Sequence, residues 1–254
     1  DAVHWACRSP ARASCTFSFA GLFGACSTMA EGLALGAALC EGGAARNLLA
    51  MASSHFCAAE RQFRTPLSYG AVRTPTAQWT ATAAGCCLLQ PQGEGVGIAA
   101  ATFGRVQDYQ VKDINNMGAA MAPAAASTLL HYFKDTGTEP QEFDCIYTGD
   151  LGQVGSQLLR ELLAAEGLLI KNHVDCGCIL FDANEQSVKS GGSGPGCCAA
   201  VLCGHILPRL RRGSQKRVLF TATGALMSQT TFLQKETIPA VAHLVELRAP
   251  EKEK

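Results

Sequence analysis

Neither sign of charge is in excess in this 254-residue chain, where 21 lysines and arginines face 21 aspartates and glutamates. A balanced surface sets up no bulk field to gather a polyanion, which excludes nucleic acid as an expected partner. No window approaches the ~18 uninterrupted apolar residues of a membrane-spanning helix, so any membrane association is expected to be peripheral. No Cys-x-x-Cys pair occurs. The nearest groupings, Cys86-Cys87, Cys176-Gly-Cys178 and Cys197-Cys198, lack zinc-ribbon spacing, so no metal site and no cofactor are expected. With no secretory apolar segment in view, reduced thiols and a cytoplasmic setting are the simpler account.

What the chain does have is cysteine, thirteen in all, an odd number. Cys40, Cys145 and Cys203 lie in apolar runs and read as small buried hydrophobes. Cys26 is different. Gly24-Ala-Cys-Ser-Thr-Met-Ala-Glu31 places it after a glycine-bounded turn, at the mouth of a small-residue helix expected over 26–41. A thiol there faces unpaired N–H groups and the positive end of the helix dipole, which favour a thiolate or a bound anion.

The length suits one large α/β domain or two similar lobes. Asn47–Ala52 reads as a buried strand delivering Ser53-Ser-His-Phe-Cys57 to its carboxyl end, where ligands bind in open α/β sheets. Two apolar runs, 78–89 and 97–106, flank Gln90-Pro-Gln-Gly-Glu-Gly95, which reads as a hairpin connection closing a first lobe, 1–107. A second lobe, 108–254, repeats the theme. Helices are expected over 120–133, 154–166 and 197–210, and strands over 143–148, 176–181, 216–221 and 242–247. The turn Ser190-Gly-Gly-Ser-Gly-Pro-Gly196 opens the last helix as Gly24 opens the first, so the helices from Cys26 and Cys197 are expected to lie centrally. His131, His173, His205 and His243 show no mutual spacing that suggests a metal site and read as structural or surface residues.

Five segments carry a resemblance: Ala25-Cys-Ser-Thr-Met-Ala-Glu31, Ser53-Ser-His-Phe-Cys-Ala-Ala-Glu-Arg-Gln-Phe-Arg64, Pro75-Thr-Ala-Gln-Trp-Thr80, Asn116-Met-Gly-Ala-Ala-Met-Ala-Pro123 and Thr148-Gly-Asp-Leu-Gly152. Together they are similar to the stage V sporulation protein AD family of the thiolase-like superfamily, from about residue 21 onward, whereas residues 1–20 show no likeness at their positions. The resemblance implies a five-layered α/β/α/β/α fold with two pseudo-twofold-related lobes. The first lobe is read as truncated at its amino end, with an exposed sheet edge and apolar surface. The resemblance also implies a homodimer, peripheral to the forespore or spore inner membrane, that works with other stage V membrane proteins to move dipicolinic acid into the spore and release it at germination.

Condensing enzymes of this superfamily need a thiolate, a base and an oxyanion donor. Cys26 matches the nucleophile by position. The resemblance places Ser193 where thiolases hold a histidine, Gly149-Asp150 where ketoacyl synthases hold one, and Thr221 or its neighbours where thiolases hold a second cysteine. None reproduces a neutral imidazole. No catalytic residue is therefore expected, and the cavity is read as a binding site for dipicolinate, a flat pyridine with two carboxylates.

The helix mouth at Cys26 and Ser27, with Ser193 and Gly194 of the glycine turn, is expected to offer donors to one carboxylate. Arg61 and Arg64 are candidates for the other, His55 for a further donor, and Phe56 or Trp79 for stacking. Their plainer readings are a hydrogen-bonded core histidine, surface ion pairs and a core tryptophan. Asp150 would repel a dicarboxylate unless paired with an arginine or a cation such as the calcium of a chelate. The alternative is a Cys26-dependent acyltransferase of the ketoacyl synthase kind, and a vestigial scaffold is a third reading.

Overall fold

The computed structural model describes residues 18–63, 73–182 and 185–250. Its centre is a five-stranded sheet ordered β4-β9-β8-β5-β6, from β4 (Gly97–Thr102), β5 (Cys145–Gly149), β6 (His173–Asp175), β8 (Arg217–Ala225) and β9 (Ala240–Arg248). β6, β5 and β8 run parallel, while β9 is antiparallel to β8 and β4 to β9. Alternation along β8 explains why its burial is unbroken from Val218 to Gly224. Val218, Phe220 and Ala222 enter one core cluster and Leu219 the other, so both faces are buried.

One cluster joins the sheet to α1 (Thr28–Glu41) and α6 (Pro195–Val201), which lie between it and a two-stranded ribbon, β1 (Leu48–Ser54) with β3 (Ala83–Leu89). The other cluster joins the opposite face to α3 (Met117–Thr136) and α4 (Gly152–Ala165). Both central helices are thus sandwiched between strands, as the echo of the two glycine turns predicts. The described residues supply four layers. The outer face of the ribbon, with Leu49, Met51 and Leu88, is exposed, and no described helix covers it.

The ribbon packs backbone against backbone. A Cβ on Gly85 would lie 2.5 Å from the Ala199 carbonyl oxygen, and one on Gly196 would lie 2.1 Å from that of Ala83. Only glycine permits this approach, which seats α6 directly under β1 and β3.

Three expectations need correction. Cys176 to Phe181 is not a strand; β6 ends at Asp175, and Cys176–Leu180 is a short helix, α5, whose first turn is capped by the Asp175 side chain accepting from the Gly177 N–H. Gln90 to Gly95 does not close a hairpin, because β3 pairs with β1 while β4 adds to β9. That connector carries the chain between sheets, and the β4–β9 pairing reaches across the boundary expected near residue 107. Cys203 is half-buried rather than buried. It sits in a π-helical turn, Leu202–Ile206, that joins α6 to α7 (Leu207–Arg211).

The remaining elements are small but position the site. α2 (Phe56–Phe63) follows β1, and β2 (Trp79–Thr80) runs parallel to β7 (Gly192–Ser193), with Thr80 opposite Ser193. A short helix, α8 (Gln229–Leu233), lies between β8 and β9.

Candidate functional site

The turn entering α1 is a single 3-10 turn, Ala25–Ser27, with Ala25 at φ 49°. Alanine rarely occupies that left-handed region, so the surrounding structure must hold it there. The buried Ser27 donates both its N–H (2.9 Å) and its hydroxyl (2.6 Å) to the Gly24 carbonyl. Its donors are committed to the turn that presents Cys26.

Opposite Cys26 stands the glycine turn entering α6. Gly194 sits at φ 103° on the face of Ser54, and a Cβ there would lie 2.7 Å from the Ser54 Oγ. Ser54 Oγ donates to the Ala81 carbonyl (2.7 Å) and accepts from the Gly196 N–H (3.0 Å), tying the end of β1 to the start of α6. The Gly194 N–H and the Ser193 hydroxyl both act on the Cys26 sulfur.

Asp150 forms the floor. It is fully buried, at φ 68° in the turn between β5 and α4, and neither carboxylate oxygen meets a hydrogen-bond partner. Burial pushes its carboxyl well above the usual range. The Cys197 thiol and the Gly194 N–H, near the carboxylate but outside hydrogen-bond geometry, oppose that shift, and the charge of Asp175 adds to it. Desolvation, followed by Asp150, pushes the thiol of the half-buried Cys26 up to about 12. This corrects the expectation of a thiolate at a helix mouth: desolvation and a neighbouring carboxyl outweigh the helix dipole and its N–H groups.

Two residues that sequence reading missed hold Asp150 in place. Gln78 Nε2 donates to the Asp150 carbonyl (2.6 Å) and to that of Gly192 (3.1 Å), bridging the two turns. Asp175 accepts from the Thr148 hydroxyl and from the N–H groups of Leu151 and Gly152. The signal for Gln78 lay beside Trp79 in the motif Pro75–Thr80; that for Asp175 was its place before a Cys-Gly-Cys helix start.

A cleft of about 450 Å³ opens beside this centre, lined by Phe56, Trp79, Thr80, Thr82, Phe181 and Gln186 among others. Phe56 and Trp79 stack with ring centroids 4.6 Å apart, and the Arg73 guanidinium lies 4.3 Å over the tryptophan face. The structure therefore brings Cys26, Asp150, Ser193 and Gly194 together and places Phe56 and Trp79 at the adjoining cleft. His55 is exposed after β1 instead of buried. Arg61 lies on α2, and Arg64 falls outside the described residues.

Among the described residues no histidine acts on the Cys26 sulfur. His131 bonds the Ser127 carbonyl, His173 the Thr148 hydroxyl and His243 the Gly104 N–H, while the His205 ring meets Tyr147 edge-on. Among the described residues no three histidine, cysteine or acidic side chains form a metal-holding group. A thiol held this high is a slow nucleophile. Alkylation of Cys26 by iodoacetamide at pH 8, followed by peptide mass spectrometry, should run about a hundredfold slower than that of the exposed Cys57. A rate equal to that of Cys57 would show that Cys26 ionises freely.

Solved structures with a similar fold match at low identity. The tetronic acid condensing enzyme AbyA1 matches with a TM-score of 0.54 at 15% identity, over 89% of this chain and 67% of its own. The 3-oxoacyl-[acyl-carrier-protein] synthase III of Aquifex aeolicus gives 0.52 at 13%, over 88% and 65%. Cerulenin-bound OleA of Xanthomonas gives 0.55 at 14%, over 89% and 62%. The fold is thus α/β and thiolase-like. By sequence, Stage V sporulation protein AD of Bacillus subtilis is 44% identical over 226 residues, 89% of this chain and 67% of that protein. The Stage V sporulation protein AD family model matches residues 6–248, beginning earlier than the expected start near residue 21. The chain belongs to the stage V sporulation protein AD family.

Proposed function

We propose that this chain is a non-catalytic binding protein for dipicolinic acid, carried with calcium, that supports uptake of the ligand into the forespore and its release at germination. The observation that carries the reading is the company kept by the Cys26 sulfur: a carboxyl, a hydroxyl and a backbone N–H, with no imidazole among the described residues. A condensing reaction needs a base that takes the thiol proton and returns it, and a carboxyl whose own proton is held tightly does not perform that exchange.

Binding asks for less. Ser193 and the Gly194 N–H are donors for one carboxylate, and the stacked Phe56–Trp79 pair is an apolar wall for a planar ring. Burial raises the pKa of the Asp150 carboxyl and so weakens its repulsion of an incoming anion. A calcium ion arriving with the ligand would find in its two unpartnered oxygens the hard donors that such a cation prefers. No described helix is long and apolar enough to cross a membrane, so this reading assigns translocation to stage V membrane partners, with the protein at the membrane face as a homodimer.

Titration calorimetry of the purified protein with dipicolinate, with and without calcium, should show saturable heat. Trp79→Ala should weaken binding about tenfold, the equivalent of about 1.4 kcal/mol. Absence of heat under both conditions would refute the proposal. The position of Cys26 on a condensing-enzyme fold favours the acyltransferase as the second reading. That reading requires a Cys26 thioester after incubation with acyl-CoA, seen by mass and lost in Cys26→Ala.

A further inference from the structure

A second pair of thiols lies away from the candidate site. Cys87 on β3 and Cys203 in the π-helical turn have their sulfurs 3.9 Å apart, although 116 residues separate them in sequence. The Cys203 sulfur is also 3.7 Å from the Cys86 carbonyl oxygen, so sulfur contacts link the turn to this stretch of the ribbon. Cys203 is half-buried and therefore reachable by a small solute, and Arg211 lies near enough to act on both sulfurs. π-helical turns are rare and cluster at functional positions.

We propose that Cys87 and Cys203 form a redox-active dithiol that hydroperoxides convert to a disulfide, stapling β3 to the helix that begins at the candidate site. In the first step the Cys203 thiolate attacks the hydroperoxide, its sulfur takes up an OH group as sulfenic acid, and alkoxide or hydroxide leaves. In the second step the Cys87 thiol displaces that OH group as water and the sulfur–sulfur bond forms. Each sulfur is oxidised by one electron overall and the peroxide oxygen pair by two is reduced. A disulfide needs its sulfurs at about 2.05 Å, so they must approach by about 2 Å, within reach of side-chain rotation.

The electrostatics agree with that order of events. The hydrogen bond from Cys87 lowers the Cys203 thiol below its ordinary value, and Arg211 adds to the effect. The same bond and burial push Cys87 up. Cys203 is thus the thiol that ionises first and attacks, while Cys87 resolves. Cys26, whose thiol is pushed up, is not a competitor. The consequence for the fold is a cross-link closing a loop of more than a hundred residues, among the most effective kinds at restricting the unfolded chain.

The test is to treat the full chain with one equivalent of hydrogen peroxide and map its cysteines by peptide mass spectrometry. A Cys87–Cys203 cross-linked peptide should appear, lighter by two hydrogens, and be reversed by dithiothreitol. The oxidised protein should unfold at higher urea than the reduced one. Cys203→Ser should abolish the cross-link, whereas Cys87→Ser should leave a sulfenic acid on Cys203 that dimedone traps. A Cys86–Cys203 bridge, sulfinic acid on Cys203 without a bridge, or oxidation of exposed Cys57 ahead of both thiols would each overturn the proposal.

Discussion

Glu246→Gln should lower the unfolding free energy by about 3 kcal/mol, because it removes the anion on which four hydrogen bonds converge. Glu246 is on β9 with its side chain 3% exposed, yet it accepts from the Tyr132 hydroxyl, from Arg217 Nε (2.8 Å) and Nη2 (3.3 Å), and from Arg248 Nε (2.6 Å). Burial alone would raise its pKa. The two arginines and the tyrosine outweigh that and hold it at about 2, against an ordinary value of 4.5.

A carboxyl depressed in the folded state contributes stability above its unfolded pKa and loses it as pH falls through the folded one. This contribution should therefore be complete above pH 4.5 and vanish towards pH 2, about 3 kcal/mol in all. In the variant, Arg217 keeps its bridge to Glu142 and its place over the Phe143 ring, which limits the loss. Arg248→Ala is the contrast. That side chain is 55% exposed, and its loss should cost less than about 1 kcal/mol. Urea unfolding at pH 7 and at pH 3 measures both. A Glu246→Gln protein within 1 kcal/mol of the parent at pH 7 would mean that desolvation cancels the network.

β8 and β9 were the most legible strands of this sheet, since they are buried on both faces and mostly apolar in sequence. The same rule misled at Cys176–Leu180. A short apolar run looks alike in a buried strand and a buried helix turn, and periodicity over five residues cannot separate them. The missing clue was the cap: an aspartate two residues before a glycine, able to accept its N–H. Recognising Asp175 as that cap would have moved the expected strand back to end before Cys176 and exposed a support of the site in one step.

The connector at Gln90–Gly95 failed for another reason. Turn-forming residues announce that the chain reverses but not which strand it meets next, and here the partner of β4 lies about 145 residues further on. The candidate site was legible where glycine marks a turn, at Cys26 and at Ser193-Gly194, because those turns act locally. Gln78 and Asp175 act across 72 and 24 residues respectively, through single side chains that no local pattern distinguishes. The ionisation of Cys26 was misjudged because burial, unlike a helix start, is a property of the assembled molecule.

Asp175→Ala should be the most damaging change to the site among residues that do not enter it. Its carboxylate accepts from the Thr148 hydroxyl (2.7 Å) and the N–H groups of Leu151 (3.0 Å), Gly152 (2.9 Å) and Gly177 (2.9 Å), so truncation strands four buried donors. At about 1 kcal/mol for each, the variant should lose at least about 3 kcal/mol of stability. The turn that holds Asp150 at φ 68° would relax with it, and on the proposed function dipicolinate affinity should fall by at least tenfold while Cys26 alkylation accelerates.

Asp175→Asn separates the contributions. Burial raises the Asp175 pKa to about 6 from 3.8, against the pull of its four hydrogen bonds. A carboxyl raised in this way favours the folded state while protonated. Its stabilisation is complete below pH 3.8 and is lost as pH rises to about 6, the reverse of Glu246. The amide variant should abolish that slope between pH 4 and 6 while retaining an acceptor for the N–H groups of Gly152 and Gly177. Parallel calorimetry and urea unfolding across this range give both readings. A folded Asp175→Ala protein that binds dipicolinate as tightly as the parent would show that the Asp150 turn holds its shape unaided.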